Sequence, residues 1–216
     1  MYSLSELFEK VNSVEYRTVG QEVDYCFVKE ENTLYIYFEP SNGGKDWKHN
    51  FMFKKRPYKD MKIPYKVHRG FLECWKTVED IILARIADPT IKEIVIVGYS
   101  HGGALSALCH ECCWYNRPDI RNNIWGIGFD SPRVYGSFTV DNKLKERWAQ
   151  YIVIRNHNDL VTHVPPALFG YCHVGTVVKV GEKPHPGLIK AHYPEEILYS
   201  LQNFNYNTNW KEICVK

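Results

Sequence analysis

The chain has 216 residues, with 27 Lys and Arg against 25 Asp and Glu, and 44% of its residues are apolar. This near balance of charge, without long basic or acidic blocks, excludes a disordered tail and a nucleic-acid binder that depends on bulk charge. No apolar run reaches the roughly 18 residues of a membrane span. A chain of this length can bury a core without disulfides or a metal, so we expect one domain over residues 1–216.

The N-terminal segment and the cysteines predict a location. Residues 1–10 are acidic and amphipathic, and they lack the basic start and continuous apolar stretch of a secretory signal. The seven cysteines are odd in number and form no disulfide-like framework. They are interpreted as reduced thiols, and we expect a cytoplasmic protein.

The first part of the chain predicts a helix, a hairpin and an irregular segment. Apolar residues recur at helical spacing near the N-terminus, at Leu4, Leu7, Phe8 and Val11. Residues 23–28 and 33–38 are typical of two strands joined by a turn at 30–32. Residues 39–68 are polar, basic and broken by prolines, and they predict an irregular excursion.

Strands and helices alternate through the rest of the chain. The apolar run 94–97 is short and β-branched, as in a strand buried on both faces. Further strands are predicted at 124–129, 151–155 and, at a sheet edge, 174–180. Helices are predicted at 71–86, 102–115, 141–149 and 195–204. This alternation predicts an α/β fold with a largely parallel sheet flanked by helices.

The most informative motif is Gly98-Tyr99-Ser100-His101-Gly102, which fits the pattern Gly-x-Ser-x-Gly. A buried strand precedes it and a helix of small residues follows, which is the setting that a nucleophilic serine requires. The turn lifts the hydroxyl of Ser100 clear of the sheet, and the N–H of His101 lies where an oxyanion would form. Ser100 is therefore the predicted nucleophile, with His101 as one oxyanion donor.

A serine nucleophile needs a base and an orienting acid, which follow it in the order acid, then histidine. Asp159, in a polar loop directly after a strand, is the candidate acid, and Asp130 is its rival or a buried structural carboxylate. His192 lies late in the chain before the last helix and is the candidate base, with His185 as the main alternative. Less favoured histidines are His157, His163 and His173.

Several segments together resemble the class 3 lipases, the fungal-lipase-like branch of the α/β-hydrolases. The matching stretches occur in family order and are Tyr35–Ser41, Asp46-Trp47, Val67–Phe71, Gly98–Ala104, Gly128–Val134, Asn156–Pro166 and Tyr171–Gly175. The resemblance implies Ser100 as nucleophile, Asp159 as acid and a late histidine that His192 fits best. It makes Asp130 and His173 structural, and it implies Ser41 as the second oxyanion donor.

Two segments depart from the family pattern. Glu39-Pro40 replaces Arg-Gly before Ser41, and Pro40 has no N–H to offer an oxyanion. The segment 42–62 corresponds to the family's lid but is mostly polar, and its second half is basic and aromatic. It predicts either a solvated loop or a transient contact with an anionic membrane or micelle surface.

The predicted function is hydrolysis of carboxylic esters of lipids, of acylglycerol or lysophospholipid type, through an acyl-serine, with no cofactor. Two alternatives stay open, an acyltransferase with the same triad and a non-catalytic binding protein on a hydrolase fold. The run Cys109, Cys112 and Cys113 with His110 suggests zinc, but no second pair at finger spacing follows. These cysteines are interpreted as small core residues, so no metal is predicted.

Overall fold

The computed structural model describes residues 2–19, 23–40, 54–58, 65–136, 140, 142–181, 187 and 189–214. Five helices occur in these residues: α1 (Leu4–Val11), α2 (Arg69–Ile86), α3 (His101–Asn116), the short α4 (Asn142–Lys145) and α5 (Pro194–Gln202). Eleven strands occur there as well: β1 (Arg17–Val19), β2 (Val23–Glu30), β3 (Thr33–Phe38), β4 (Lys55–Tyr58), β5 (Tyr65–His68), β6 (Glu93–Tyr99), β7 (Ile124–Phe129), β8 (Tyr135–Gly136), β9 (Tyr151–Asn156), β10 (Tyr171–Cys172) and β11 (Thr176–Val180).

Seven strands form the central sheet, in the order β1-β2-β3-β6-β7-β9-β11. The pairs β1/β2 and β2/β3 are antiparallel, whereas β3, β6, β7, β9 and β11 run parallel to one another. The parallel strands all end at one edge, which is where an open α/β sheet collects its functional loops. This is the α/β architecture with a largely parallel sheet that the alternation of strands and helices predicts.

The two faces of the sheet are covered by different helices because side chains alternate along each strand. Leu34 and Ile36 point to the face that packs against α2 and α3. Tyr35 and Tyr37 point to the opposite face, in the same cluster as residues of α1 and α5. The central strands are therefore buried on both sides, which explains their continuous β-branched runs.

Local signals explain where helices begin. Ser3 caps α1: its Oγ accepts the Glu6 N–H at 3.2 Å, while its own N–H donates to Glu6 Oε2 at 2.7 Å. This reciprocal arrangement satisfies donors that the first turn leaves open. Pro194 opens α5, where its fixed φ and missing N–H cost nothing.

The prediction of an irregular excursion over 39–68 was wrong for part of that range. β4 and β5 pair there and belong to a second, antiparallel sheet in the order β10-β8-β5-β4. The segment is difficult to recognise from sequence because β4 contains Pro57 and is only four residues long. The predicted helix at 141–149 is also shorter, since α4 gives way to a 3-10 turn at Glu146–Trp148.

None of the helices in the described ranges is both long enough and apolar enough to cross a bilayer. The interpretation of Cys109, Cys112 and Cys113 as small core residues is confirmed, because all three are buried on α3 within the main core. Cys109 and Cys113 contact each other with their sulfurs 3.9 Å apart. Their neighbour His110 bonds through Nε2 to the Ile124 carbonyl at 3.2 Å.

Candidate active site

Ser100 sits in a strained turn between β6 and α3. Its backbone has φ 54° and ψ −120°, a conformation that is unfavourable for a residue with a side chain. The turn is tight because strand and helix nearly touch: a Cβ on Gly98 would lie 2.0 Å from the Gly102 carbonyl oxygen. The sharp reversal holds the serine at the edge where the parallel strands end.

His192 bonds to Ser100 from a loop 92 residues further along the chain. Its Nε2 lies 2.9 Å from Ser100 Oγ, so the two can share a proton. The residue ends the 3-10 turn Lys190–His192, just before α5. The late histidine chosen from sequence therefore contacts the predicted nucleophile.

Asp159 completes the chain of hydrogen bonds. It follows β9, is fully buried, and its Oδ2 lies 2.8 Å from His192 Nδ1. Its Oδ1 accepts the Val161 N–H at 3.0 Å. Because both carboxylate oxygens are engaged, the imidazole is held with Nδ1–H toward the acid and Nε2 toward the serine.

Asp130, the rival acid, lies in the same cluster rather than elsewhere. It is fully buried at the end of β7, and its Oδ1 accepts the Asn156 N–H at 2.6 Å. Burial, and next the charge of Asp159, raises the pKa of Asp130 well above its usual value. The sequence-based interpretation as a buried carboxylate that accepts a backbone N–H describes it correctly, but it did not place Asp130 beside Asp159.

The less favoured histidines that the structure describes bond elsewhere. His163 bonds through Nδ1 to the Asp159 carbonyl at 2.8 Å. His173 bonds through Nε2 to the Thr162 carbonyl at 2.8 Å, and burial lowers its pKa to about 4. His157 lies against Ser200 of α5. The alternative base His185 lies outside the described residues.

Of the two predicted oxyanion donors, the structure describes His101. His101 is the first residue of α3, so its N–H belongs to the positive end of that helix. Ser41 lies outside the described residues. The strand that leads to it does reach the nucleophile turn: a Cβ on Gly102 would lie 2.3 Å from the Phe38 carbonyl oxygen.

A small cavity beside Ser100 is mostly apolar. The residues that line it besides Ser100 are Phe71, His101, Pro132, Val161, Val164 and Pro165. Its volume is about 20 Å³, so it has room for only a few atoms, and its lining suits apolar atoms better than a charged or sugar-like group.

Two contacts that the sequence analysis missed hold the base in place. The Tyr99 hydroxyl donates a hydrogen bond to the backbone carbonyl of His192. The Asn156 side chain donates to the Ala191 carbonyl at 2.7 Å. Tyr99 occupies the first x position of the Gly-x-Ser-x-Gly motif. Its place directly before the nucleophile is the sequence feature that could have indicated a role in the site.

One group in the described ranges could offer three ligand atoms to a metal. Asp130, Asp159 and His192 each place one such atom within 4.8 Å of the others. The Nδ1–Oδ2 hydrogen bond already engages one nitrogen and one oxygen of this set. The hydrogen bonds of Asp159 and His192 therefore account for their closeness.

Known proteins with similar sequences are fungal lipases. The lipase of Rhizomucor miehei is 30% identical over 151 residues, covering 67% of this chain and 41% of that protein. A secreted mono- and diacylglycerol lipase of Fusarium solani is 34% identical over 139 residues, covering 60% and 38%. The chain thus spans about two-fifths of the length of these relatives.

Solved structures share the fold at lower identity. The Rhizomucor miehei triacylglyceride lipase superposes with a TM-score of 0.65 at 24% identity, covering 78% of this chain and 66% of that one. A Penicillium cyclopium protein superposes with a TM-score of 0.63 at 18% identity, covering 85% and 82%. The family described as Lipase (class 3) matches residues 35–169, well over half of the sequence. The chain therefore belongs to the class 3 lipase family.

Proposed function

We propose that this protein is a serine hydrolase that cleaves carboxylic esters of lipids through an acyl-serine. The observation that carries the proposal is the continuous chain of hydrogen bonds from Ser100 through His192 to Asp159, at 2.9 and 2.8 Å. Neither bond joins residues near each other in sequence. A serine hydroxyl is a weak nucleophile until a base in this arrangement takes its proton.

The reaction follows from the geometry. Ser100 Oγ attacks the ester carbonyl while His192 Nε2 takes its proton, and Asp159 stabilises the imidazolium that forms. The negative charge on the carbonyl oxygen lies at the start of α3, where we assign the His101 N–H as one donor and the Ser41 N–H as the other. His192 then protonates the leaving alcohol, and water activated by His192 hydrolyses the acyl-serine. No cofactor takes part.

A lipid ester of acylglycerol or lysophospholipid type is the substrate class that we propose. The apolar lining beside Ser100 suits the acyl-chain atoms next to the reacting carbonyl, and the Fusarium relative carries the name of a mono- and diacylglycerol lipase. Large apolar side chains are also exposed next to two of the three residues, namely Leu160 beside Asp159 and Ile189 and Tyr193 near His192. They support a transient contact with a membrane or micelle surface.

We also propose a cytoplasmic location, because the structure, which describes all seven cysteines, places none of them in a disulfide. An oxidising compartment favours disulfides in proteins that carry several cysteines. Fractionation of the source cells with an antibody to this chain checks the location.

The test of the function is hydrolysis of p-nitrophenyl esters from acetate to palmitate, beside monoacylglycerol and lysophosphatidylcholine. We expect the wild type to cleave, and Ser100→Ala and His192→Ala to lose roughly 10⁴-fold or more in kcat. His185→Ala is the control and should keep its activity. If His185→Ala is inactive instead and His192→Ala is active, the assigned base is wrong.

Labelling with a fluorophosphonate separates the remaining alternatives. A wild type that is labelled at Ser100 but cleaves no ester in water is an acyltransferase, which offering acyl acceptors would reveal. A folded wild type that neither cleaves nor is labelled is a binding protein, and the proposal fails.

A further inference from the structure

Asp130 is a second buried carboxyl group beside the Ser100–His192–Asp159 chain, and the reaction as described does not use it. It follows β7 with φ 42°, a backbone conformation that glycine adopts far more readily. The side chain is fully buried, and one of its oxygens lies within 4.8 Å of a ligand atom of both Asp159 and His192. A strained backbone and a buried acid both lower the stability of the fold. Such costly features occur most often at functional sites.

The hydrogen bonds of Asp130 lead to both the acid and the base through one residue. Its Oδ1 accepts the Asn156 N–H at 2.6 Å. The Asn156 carbonyl accepts the Asp159 N–H at 3.1 Å, and the Asn156 side chain donates to the Ala191 carbonyl at 2.7 Å, one residue before His192. Asp130 therefore anchors the backbone position to which the loops of Asp159 and His192 are both bonded.

The distribution of charge indicates which carboxyl group keeps a proton. Two buried carboxylates this close cannot both ionise without a large energetic cost. Asp159 accepts two hydrogen bonds, from the Val161 N–H and from His192, whereas Asp130 accepts one. Asp130 Oδ2 is buried and has no hydrogen-bond partner within the described residues. Asp159 is therefore the better place for the charge and Asp130 for the proton.

The other groups around Asp130 leave this assignment unchanged. The Asn156 N–H, and next Arg155 of β9, lower the pKa of Asp130, but both act more weakly than burial and the charge of Asp159, which raise it. Tyr99 of β6 stays neutral, because burial raises its pKa above the usual value. His192 is neutral when it is ready to act as a base, so it does not compensate a second negative charge.

We propose that Asp130 is a positioning residue that acts as a neutral carboxylic acid and, by accepting the Asn156 N–H, holds the Asp159 and His192 loops in register with Ser100. This inference rests on the proposed ester hydrolysis for its kinetic consequences. Its charge state is independent of any activity.

The charge state is tested by the stability of Asp130→Asn, which keeps the acceptor oxygen and cannot ionise. A folded-state pKa above the unfolded value means that wild-type stability falls as pH rises above about 4, since the folded protein holds a proton that the unfolded chain releases. The urea midpoint of Asp130→Asn should therefore exceed that of the wild type by a margin that widens as pH rises. A margin that stays flat between pH 5 and 8 overturns the proposal.

The positioning role is tested by kinetics on a soluble ester at fixed pH. Asp130→Gly removes the acceptor, and glycine accommodates the backbone conformation, so the variant should fold. We expect its kcat to fall roughly tenfold with KM within about twofold, while Asp130→Asn keeps both values and the acid limb of the pH profile within about 0.2 pH unit. Tyr135→Phe, which removes the buried hydroxyl bonded to the Ala107 carbonyl, is the control for a loss of stability alone.

The kinetic results for the two Asp130 variants distinguish a positioning residue from an anion and from a residue without a role. An Asp130→Gly variant with wild-type kcat shows that the residue positions nothing and overturns the proposal. An Asp130→Asn variant that loses as much kcat as Asp130→Gly, or whose acid limb moves down by about half a pH unit or more, shows that Asp130 acts as an anion and also overturns it. A wild type that cleaves no ester defeats the proposed function instead, and the stability test of Asp130→Asn still decides the charge state.

Discussion

Tyr99 shows how a residue outside the predicted chemistry can determine where the chemistry happens. Its backbone belongs to β6 and immediately precedes the nucleophile, while its hydroxyl donates to the carbonyl of His192. Its ring also lies 5.0 Å from the imidazole, tilted by 35°. One side chain therefore ties the strand that carries the nucleophile to the loop that carries the base.

Removing the Tyr99 hydroxyl should make the position of His192 less fixed and leave substrate binding unchanged. We expect Tyr99→Phe to lower kcat about three- to tenfold with little change in KM, in proportion to one hydrogen bond worth about 1 kcal/mol. Tyr58→Phe is the matched control, because Tyr58 lies on β4 of the second sheet and its hydroxyl donates to Glu79 of α2. Steady-state kinetics on a soluble ester checks this, and equal losses in both variants would contradict it.

Sequence supported the choice of some site residues much better than others. Ser100 stands in a motif whose flanking strand and helix can be recognised locally, and the order of acid and histidine led to Asp159 and His192. The structure brings these three together. The contacts of Tyr99 with His192 and of Asp130 with Asn156 span 93 and 26 residues. No local sequence pattern predicts such contacts, because they depend on which strands end side by side in the sheet.

At the scale of elements, the closeness of β3, β6 and α3 builds the site. A Cβ on Gly98 would collide with α3, and one on Gly102 would collide with the end of β3. The helix can therefore begin directly after Ser100, with its positive end toward the reacting carbonyl. The same closeness directs the end of β3 toward the nucleophile, and Ser41 follows that strand in sequence.

A methyl group added at Gly102 should push α3 away from the end of β3. We expect Gly102→Ala to destabilise the fold by about 3 kcal/mol or more and to abolish ester cleavage, since the obstructing atoms are backbone atoms that cannot rotate away. Gly187→Ala is the control, because its Cβ would meet the flexible Lys190 side chain at 3.3 Å. Urea unfolding of both variants measures the difference, and a Gly102→Ala variant as stable as the wild type would refute the packing argument.

Elements were predictable where their pattern was long and regular. The parallel strands and the helices α2 and α3 follow from continuous apolar runs and helical periodicity. The second sheet was not predicted, because β8 and β10 are two residues long and β4 contains a proline. Such strands are stabilised by their partners rather than by their own propensities.

For the whole molecule, buried titratable groups set the response to acid, and they act in opposite directions. His110 and His173 are neutral in the fold, and burial lowers the pKa of each to about 4. Both take up a proton on unfolding between that value and 6.5, so stability falls as pH decreases through this range. Asp130 has a raised pKa and opposes them at pH values between its usual pKa, near 4, and the raised one.

The directions of these pKa shifts predict how two single substitutions change the loss of stability at low pH. His110→Gln keeps a donor for the Ile124 carbonyl but cannot titrate, so it should lose less stability than the wild type between pH 6.5 and 4.5, by up to about 1.4 kcal/mol per pH unit. Asp130→Asn removes the opposing group, so it should lose more stability over the same range. Urea unfolding at several pH values with all three proteins measures both slopes. Parallel curves for the wild type and His110→Gln would mean that His110 titrates normally in the fold, which its complete burial on the face of α3 that meets β7 argues against.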